Sequence, residues 1–169
     1  MKTNLILIGM PGSGKSTIGE KLATARGYKF IDLDKKIETE QGAPLQDVLE
    51  TNGIEGFLKI EEQAGKTLNV TKTVIAPGGS MALSEPAMQH LKQNGRCIFL
   101  DVPVEELEAR MQNRGSRGIA AGPDITLAQI LETRLSHYRR HADVTIDCSG
   151  KNVLETVTAI CTWLKTATK

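Results

Sequence analysis

The chain has six aromatic residues among 169, three cysteines and almost no net charge, +1 from 21 Lys and Arg against 20 Asp and Glu. Each shortage excludes a class of function. Tyr28, Phe30, Phe57, Phe99, Tyr138 and Trp163 are too few and too scattered to form a stacking surface for single-stranded nucleic acid. The neutral balance argues against a duplex binder as well, so no nucleic-acid partner is expected. No run of 18 apolar residues occurs, so no membrane partner is expected either. Met1-Lys2-Thr3-Asn4 leads into only four apolar residues before Gly9, which is unlike a secretory leader, and the expected location is cytoplasmic. Cys97, Cys148 and Cys161 are odd in number, widely spaced and set in apolar segments, the pattern of buried small hydrophobes and not of a disulfide or zinc framework. His137 and His141 are four apart but lack a third ligand, so these and His90 read as surface or capping groups.

What the chain does have is a regular alternation. With 40% hydrophobic and 24% charged residues it can bury a core and is read as a single domain over 1–169. Strands are expected at Asn4–Gly9, Tyr28–Asp32, Thr71–Ala76, Cys97–Asp101 and Val144–Asp147. Helices are expected at 15–26, 34–40, 44–51, 54–69, 86–93, 103–112, 126–141 and 152–166. Alternation of this kind makes an α/β fold, a parallel sheet with helices on both faces. Pro44, Pro86 and Pro103 fall where a first helical turn accepts proline, and Gly27, Gly53 and Gly95 fall at expected helix ends or turns. Trp163, beside Ile160 and Leu164, is expected to anchor the last helix in the core. The stretch 113–124, with three glycines, a proline and Arg114 and Arg117, fits no regular element and reads as a flap or lid.

Residues 9–16 read Gly-Met-Pro-Gly-Ser-Gly-Lys-Ser, a complete G-x-x-x-x-G-K-[ST] between a strand and a helix. Glycines let consecutive backbone N–H groups turn inward around a polyphosphate. Lysine reaches the outer phosphates, a hydroxyl holds Mg²⁺, and the following helix adds its positive dipole end. In open parallel sheets ligands bind outside the carboxyl ends of the strands, so Gly9–Ser16, Asp32-Leu33-Asp34, Pro77-Gly78-Gly79-Ser80 and Asp101 should converge on one cleft. Alternation along an extended strand puts Asp32 and Asp34 on one side. One can hold Mg²⁺ through water while the other accepts a hydroxyl proton, although Asp34 fits a helix N-cap as well. Charge is uneven along the chain. Phe30 to Glu62 holds nine Asp or Glu against three Lys, and Arg110 to Arg140 holds six of the eight Arg. Next to a phosphate loop, such arginines read as groups that close over transferring phosphates.

Taken in order, Gly9–Thr17, Ile18-Gly19, Leu22-Ala23, Phe30-Ile31-Asp32-Leu33-Asp34, Ile37-Glu38, Gly78-Gly79, Arg110 through Arg117, Arg134 and Tyr138-Arg139 resemble the shikimate kinase family over nearly the whole chain. The resemblance implies a three-layer α/β/α P-loop kinase fold with a five-stranded parallel sheet of order 2-3-1-4-5. It implies ATP and Mg²⁺, and a small-molecule acceptor whose hydroxyl is phosphorylated, by default shikimate to shikimate 3-phosphate, by a monomer. Carried over by position, Gly12, Ser13, Gly14, Lys15, Ser16 and Thr17 would hold the nucleotide, with Arg110 on the adenine and Arg117 reaching the phosphates from the lid. Ser16 and Asp32 would serve the metal. Lys15, Asp34 and Arg117 would be catalytic, with Asp34 as candidate base. Asp34, Gly78, Gly79 and Arg134 would bind the acceptor, Arg134 through its carboxylate, within an acceptor region at about 33–62.

The departures from the family pattern gather on the acceptor side. Where the family carries Gly-Glu-x-x-Phe-Arg-x-x-Glu, this chain reads Gly53-Ile54-Glu55-Gly56-Phe57-Leu58-Lys59-Ile60-Glu61, so Leu58 replaces a carboxylate-binding Arg and Ile54 replaces the first Glu. Lys59 lies about 100° around the helix from Leu58. The three-glycine turn ends in Ser80, and the lid's Arg-Pro-Leu-Leu is Arg117-Gly118-Ile119-Ala120. Glu61 and Glu62 read as a solvated helix face left without an arginine to orient. Two alternatives follow: a kinase of another small hydroxy compound, or a nucleotide-binding regulator without kinase activity. Loss of a charged partner for a carboxylate costs about 1.5–3 kcal/mol. Leu58→Arg is therefore expected to lower the KM for shikimate in steady-state kinetics. An unchanged KM would remove the clamp argument, and damaged activity would indicate an uncharged acceptor.

Overall fold

The computed structural model describes residues 2–112, 119–122 and 124–167. Five strands, β1 (Asn4–Ile8), β2 (Lys29–Asp32), β3 (Thr73–Ala76), β4 (Gly95–Asp101) and β5 (Val144–Asp147), form one parallel sheet of order β2-β3-β1-β4-β5. Leu5 and Ile6 register with Val74 and Ile75 on one side of β1, and with Arg96 and Cys97 on the other. Every residue of β1 and β3 is buried, so both faces of the sheet centre are covered, as continuous apolar strands in a parallel sheet require. The outer strands β2 and β5 are more exposed.

The helices are α1 (Lys15–Arg26), α2 (Leu33–Gln41), α3 (Leu45–Lys66), α4 (Glu85–Gln93), α5 (Val104–Gln112), α6 (Leu127–His141) and α7 (Val153–Thr166). A 3₁₀ turn at Met81–Leu83 lies between β3 and α4. Helix α1 packs on β2, β3 and α7, while α3, α4 and α6 gather around the 3₁₀ turn. Most departures from the sequence-based boundaries have local causes. Thr126 and Asn152 are N-caps held by reciprocal side-chain bonds with Gln129 and Glu155, so their helices start one residue later than expected. Lys72 has a φ of 48°, which ends any extended run before Thr73. The stretches expected as two helices at 44–51 and 54–69 abut as α3 across Gly53, whose φ of 67° and ψ of 175° break the helical path. Gly95 follows Asn94, the C-cap of α4, as a helix-end glycine. It opens β4, where a Cβ would stand 2.8 Å from the Leu91 carbonyl oxygen.

The core has two parts. The larger joins the sheet to α1, α4, α6 and α7 around Ile6, Leu7, Ile75, Ile98 and Tyr138. The smaller, Ile37, Val48, Phe57 and Ala64, holds α2 to α3. In α7, Ile160 and Leu164 are the buried anchors. Trp163 is only half-buried and carries the Arg96 guanidinium 5.9 Å from its ring centroid, a correction to its expected role as anchor. Cys97 and Cys148 are buried and Cys161 half-buried, all as free thiols.

Helix α3 reaches its neighbours through Gly65, where a Cβ would come within 2.9 Å of both Ala87 Cβ and Met81 Sδ. Gly65→Ala gains about 1 kcal/mol of helix propensity but overpacks this contact, which costs about 1–3 kcal/mol. A lower urea midpoint with an unchanged m value is the expected result.

Candidate active site

A cavity of ≈ 500 Å³ opens at the carboxyl ends of β1, β2 and β3, lined by Gly12, Gly14, Lys15, Ser16, Thr17, Asp32, Asp34, Glu61, Gly78, Gly79, Ser80 and Arg134 among others. The phosphate-loop turn depends on Gly12 and Gly14, with φ of 82° and 92°, and Gly14 is the N-cap from which α1 begins at Lys15. Lys15 Nζ donates to the carbonyls of Gly9 and Met10 at 2.9 Å each, so the lysine lies across its own loop. Ser13, expected to touch nucleotide, is 1% exposed and sits beneath the loop, outside the cavity wall. Arg110 lies outside the wall as well, donating to the Gly12 carbonyl at 3.3 Å and pairing with Glu106. Arg114 and Arg117 lie outside the described residues, as does most of the expected lid. Ile119 and Ala120, among its described residues, line the cavity.

Asp32 and Asp34 both line the cavity, but not by strand alternation. Strand β2 ends at Asp32, whose side chain caps α2 by accepting from the backbone N–H groups of Asp34 and Lys35. The N-cap is thus Asp32, and Asp34 sits in the first helical turn. Asp32 Oδ2 also accepts from Ser16 Oγ at 2.5 Å. Hydroxyl and carboxylate oxygens so paired are the hard donors Mg²⁺ takes, so the residues present fit that ion. Among the described residues no group of three or more His, Cys, Asp or Glu could hold a metal. Mg²⁺ here would draw its other ligands from water and phosphate.

The other half of the cavity is built around the turn after β3. Tyr138, which stacks on Phe99 with ring centroids 5.1 Å apart, donates its hydroxyl to the Gly79 carbonyl at 2.6 Å. Burial pushes the Tyr138 phenol up to about 12, so it stays a donor at neutral pH. The family element containing Tyr138 was legible in the sequence, but its grip on Gly79 was not, because nothing in spacing links α6 to that turn. Arg134, one helical turn earlier, is 3% exposed and donates to the Ala120 carbonyl at 3.1 Å.

Glu61 overturns the expectation of a solvated face. It is 2% exposed and lies in the cavity wall, and its Oε2 accepts from the Ser80 hydroxyl. Glu62, by contrast, is half-buried and accepts from Ser84 at 2.7 Å. Phe57, Glu61 and Ala64 form one buried stripe at helical spacing, the signal that could have marked Glu61 as internal. Burial raises the Glu61 carboxyl to about 7. Asp34 adds to the rise, while the Ser80 hydrogen bond, Arg134 and Lys15 oppose it. His141 is also buried, beside Glu85 at 3.7 Å, and not on the surface. Burial holds its pKa below the ordinary range. Burial lifts the thiols of Cys97 and Cys148 to about 12 and about 11, so neither is a nucleophile at neutral pH.

The Glu61 shift sets a sign for stability. A carboxyl raised from 4.5 to about 7 favours the folded state fully below the unfolded value and loses that contribution as pH climbs through the folded value. The loss amounts to about 3 kcal/mol between pH 4.5 and pH 8. Glu61→Gln, which keeps the shape without the titration, is expected to melt higher than the parent protein at pH 8 and alike at pH 4.5. Equal melting curves at both values would contradict the burial argument.

Comparison with known proteins adds the following. A family model described as shikimate kinase matches residues 11–165. The chain is 31% identical over 158 residues to a shikimate kinase of Persephonella marina, covering 93% of this chain and 96% of that protein. It is 38% identical over 152 residues to a shikimate kinase of Synechococcus, covering 88% and 77%. Among solved structures, shikimate kinase from Acinetobacter baumannii in complex with shikimate superposes with a TM-score of 0.88 at 30% identity, covering 98% of this chain and 94% of that one.

Proposed function

The chain belongs to the shikimate kinase family, and from that premise we propose that it transfers the terminal phosphoryl group of ATP to a ring hydroxyl of shikimate. The observation that carries this reading is the meeting, in one cavity, of a phosphate loop, a carboxylate at Asp34 and a buried guanidinium at Arg134. The first suits polyphosphate, the second a hydroxyl proton, the third an acceptor carboxylate. Neither another acceptor nor a regulator without kinase activity gains support from the relatives.

In this reading Gly12, Ser13, Gly14, Lys15, Ser16 and Thr17 form the nucleotide cradle, and Ser13 acts from below as part of the loop. Arg110 takes the adenine side, and Arg117 reaches the phosphates. Ser16, and Asp32 through water, would hold Mg²⁺, which when bound supplies charge neutralisation on the outer phosphates. Asp34, in the same cavity wall as the loop, holds the attacking hydroxyl. The acceptor oxygen bonds to the γ-phosphorus while the bond to the β,γ-bridging oxygen breaks. ADP leaves with that electron pair, and the hydroxyl proton ends on Asp34. Gly78 and Gly79 bring backbone, and Arg134 a fork of donors, to the acceptor. The segment 113–124 closes as a lid that excludes water, and 33–62 forms the acceptor region of a single catalytic domain. No described helix is long and apolar enough to cross a membrane. Monomeric action in the cytoplasm completes the proposal.

Coupled-assay ADP release with Mg²⁺, ATP and saturating shikimate tests the reading, with Lys15→Ala as the blank. Turnover at or above about 1 s⁻¹ is expected. Asp34→Asn should lower kcat by about 10²–10⁴-fold with the KM for ATP kept. Background release from the parent protein with ATP binding intact would overturn the proposal.

A further inference from the structure

We propose that Ser80 is a positioning residue for the acceptor: its hydroxyl, donated to Glu61, ties the turn after β3 to α3 and so holds the backbone of Gly78 and Gly79 in place for the acceptor. The inference rests on the shikimate kinase reading and deepens it. It gives a specificity-determining role to a side chain that the family pattern, with glycine at this position, does not carry.

Each residue of the turn is gripped by a side chain from a distant helix. Glu61, from α3, spans the turn with one carboxyl group. Its Oε2 accepts from the Ser80 hydroxyl, and its Oε1 lies against Gly78, where it would collide with any Cβ. Tyr138, from α6, donates to the Gly79 carbonyl between them at 2.6 Å. Glu61, Ser80 and Tyr138 are all buried, so water competes little for these bonds. The local backbone completes the arrangement. Met81 N–H donates to the Gly78 carbonyl at 3.2 Å, and Leu83 N–H to the Ser80 carbonyl at 2.9 Å. With Tyr138 on Gly79, all three carbonyl oxygens of the turn accept within the protein, and the backbone groups it offers a ligand are N–H donors. Such donors suit the oxygens of a hydroxy acid.

The strength of an N–H donor depends steeply on its direction, so an acceptor held by this turn senses any tilt of it. The grips on the turn are not equivalent. The contact of Glu61 with Gly78 only limits approach, and the Tyr138 bond fixes a single carbonyl toward α6. The Ser80 hydroxyl is the hydrogen bond that draws the turn onto α3. Without it a buried carboxyl oxygen loses its donor, and both the turn and the carboxyl that flanks it are released. The phosphate loop keeps its shape by bonds of its own, Ser13 N–H to the Met10 carbonyl at 3.1 Å and Lys15 to the carbonyls of Gly9 and Met10. None of these passes through the turn, so loss of the Ser80 bond acts on the acceptor and not on the nucleotide.

The signature is a split between the two substrates, read by steady-state kinetics on the whole chain at one fixed pH with Mg²⁺ present. Ser80→Ala should raise the KM for shikimate about tenfold, the worth of one hydrogen bond to a charged group. The KM for ATP and kcat should stay near the parent values, as when binding alone is lost. Glu61→Met, which keeps the length but offers no oxygen, should reproduce the rise, and Glu61→Gln, which keeps an oxygen for the hydroxyl, should not. Because hydroxyl and carboxyl act as one unit, Ser80→Ala combined with Glu61→Met should cost no more than either alone. An unchanged KM for shikimate in Ser80→Ala, an equal rise in the KM for ATP, or additive rises in the double variant would overturn the inference while leaving the kinase reading intact. Absence of shikimate turnover by the parent protein would overturn both. If Ser80→Ala melts below the assay temperature, the Glu61 pair decides: a KM for shikimate raised in Glu61→Met alone supports the bond, and equal values in the two variants overturn it.

Discussion

The turn Pro77–Ser80 has no room to spare, and the rest of the active site is organised by that crowding. Gly79 lies so close to the phosphate loop that a Cβ would stand 2.8 Å from Pro11 Cδ, and Gly78 lies as close to the carboxylates of α2 and α3. From the opposite side Tyr138 donates to the Gly79 carbonyl at 2.6 Å, and Ser80 reaches Glu61. One short piece of backbone thereby touches the phosphate loop, α2, α3 and α6. Their spacing depends on hydrogen bonds to this segment, and the packing of Tyr138 on Phe99 ties it to the sheet. A site preorganised in this way needs little rearrangement of its walls before chemistry.

Electrostatics divides the cavity. The loop end offers Lys15, backbone N–H groups and the start of α1, a positive environment for phosphates. The other end combines Asp34, Glu61 and Arg134 in a wall largely withdrawn from water. In the first region charge complements the ligand before it arrives. In the second, burial raises the Glu61 carboxyl, Asp34 adds to the rise, and Arg134 opposes it.

Strand positions, loop geometry and most helix boundaries were legible in the sequence because they follow from apolar runs, glycine spacing and caps, whereas the strand order came from the family resemblance. The Asp32-Leu33-Asp34 element was read as two residues on one side of a strand. In fact the strand ends at Asp32 because its own carboxylate caps the helix that follows, and local hydrogen bonding prevailed over periodicity. Glu61 was misread for a different reason. A charged residue type outweighed the buried stripe it shares with Phe57 and Ala64, and its partner Ser80 lies 19 residues away, beyond any local pattern. His141 was missed in the same way, its burial beside Glu85 set by tertiary packing. Leu58, plain in the sequence as a departure, does not line the cavity.

The division of the apolar interior has a consequence for how such a protein can change. Ile37, Val48, Phe57 and Ala64 hold α2 to α3 through a cluster of their own, separate from the packing that joins the sheet to its helices. Ile54 and Leu58, the positions that depart from the family pattern, belong to neither cluster. Substitutions there leave the close-packed sheet interior undisturbed, where a single misplaced methylene is felt throughout. These turns of α3 can therefore change residue by residue without loosening the cavity wall, whereas the turn after β3, where a Cβ on Gly78 or Gly79 would meet a neighbour within 2.8 Å, tolerates no such freedom.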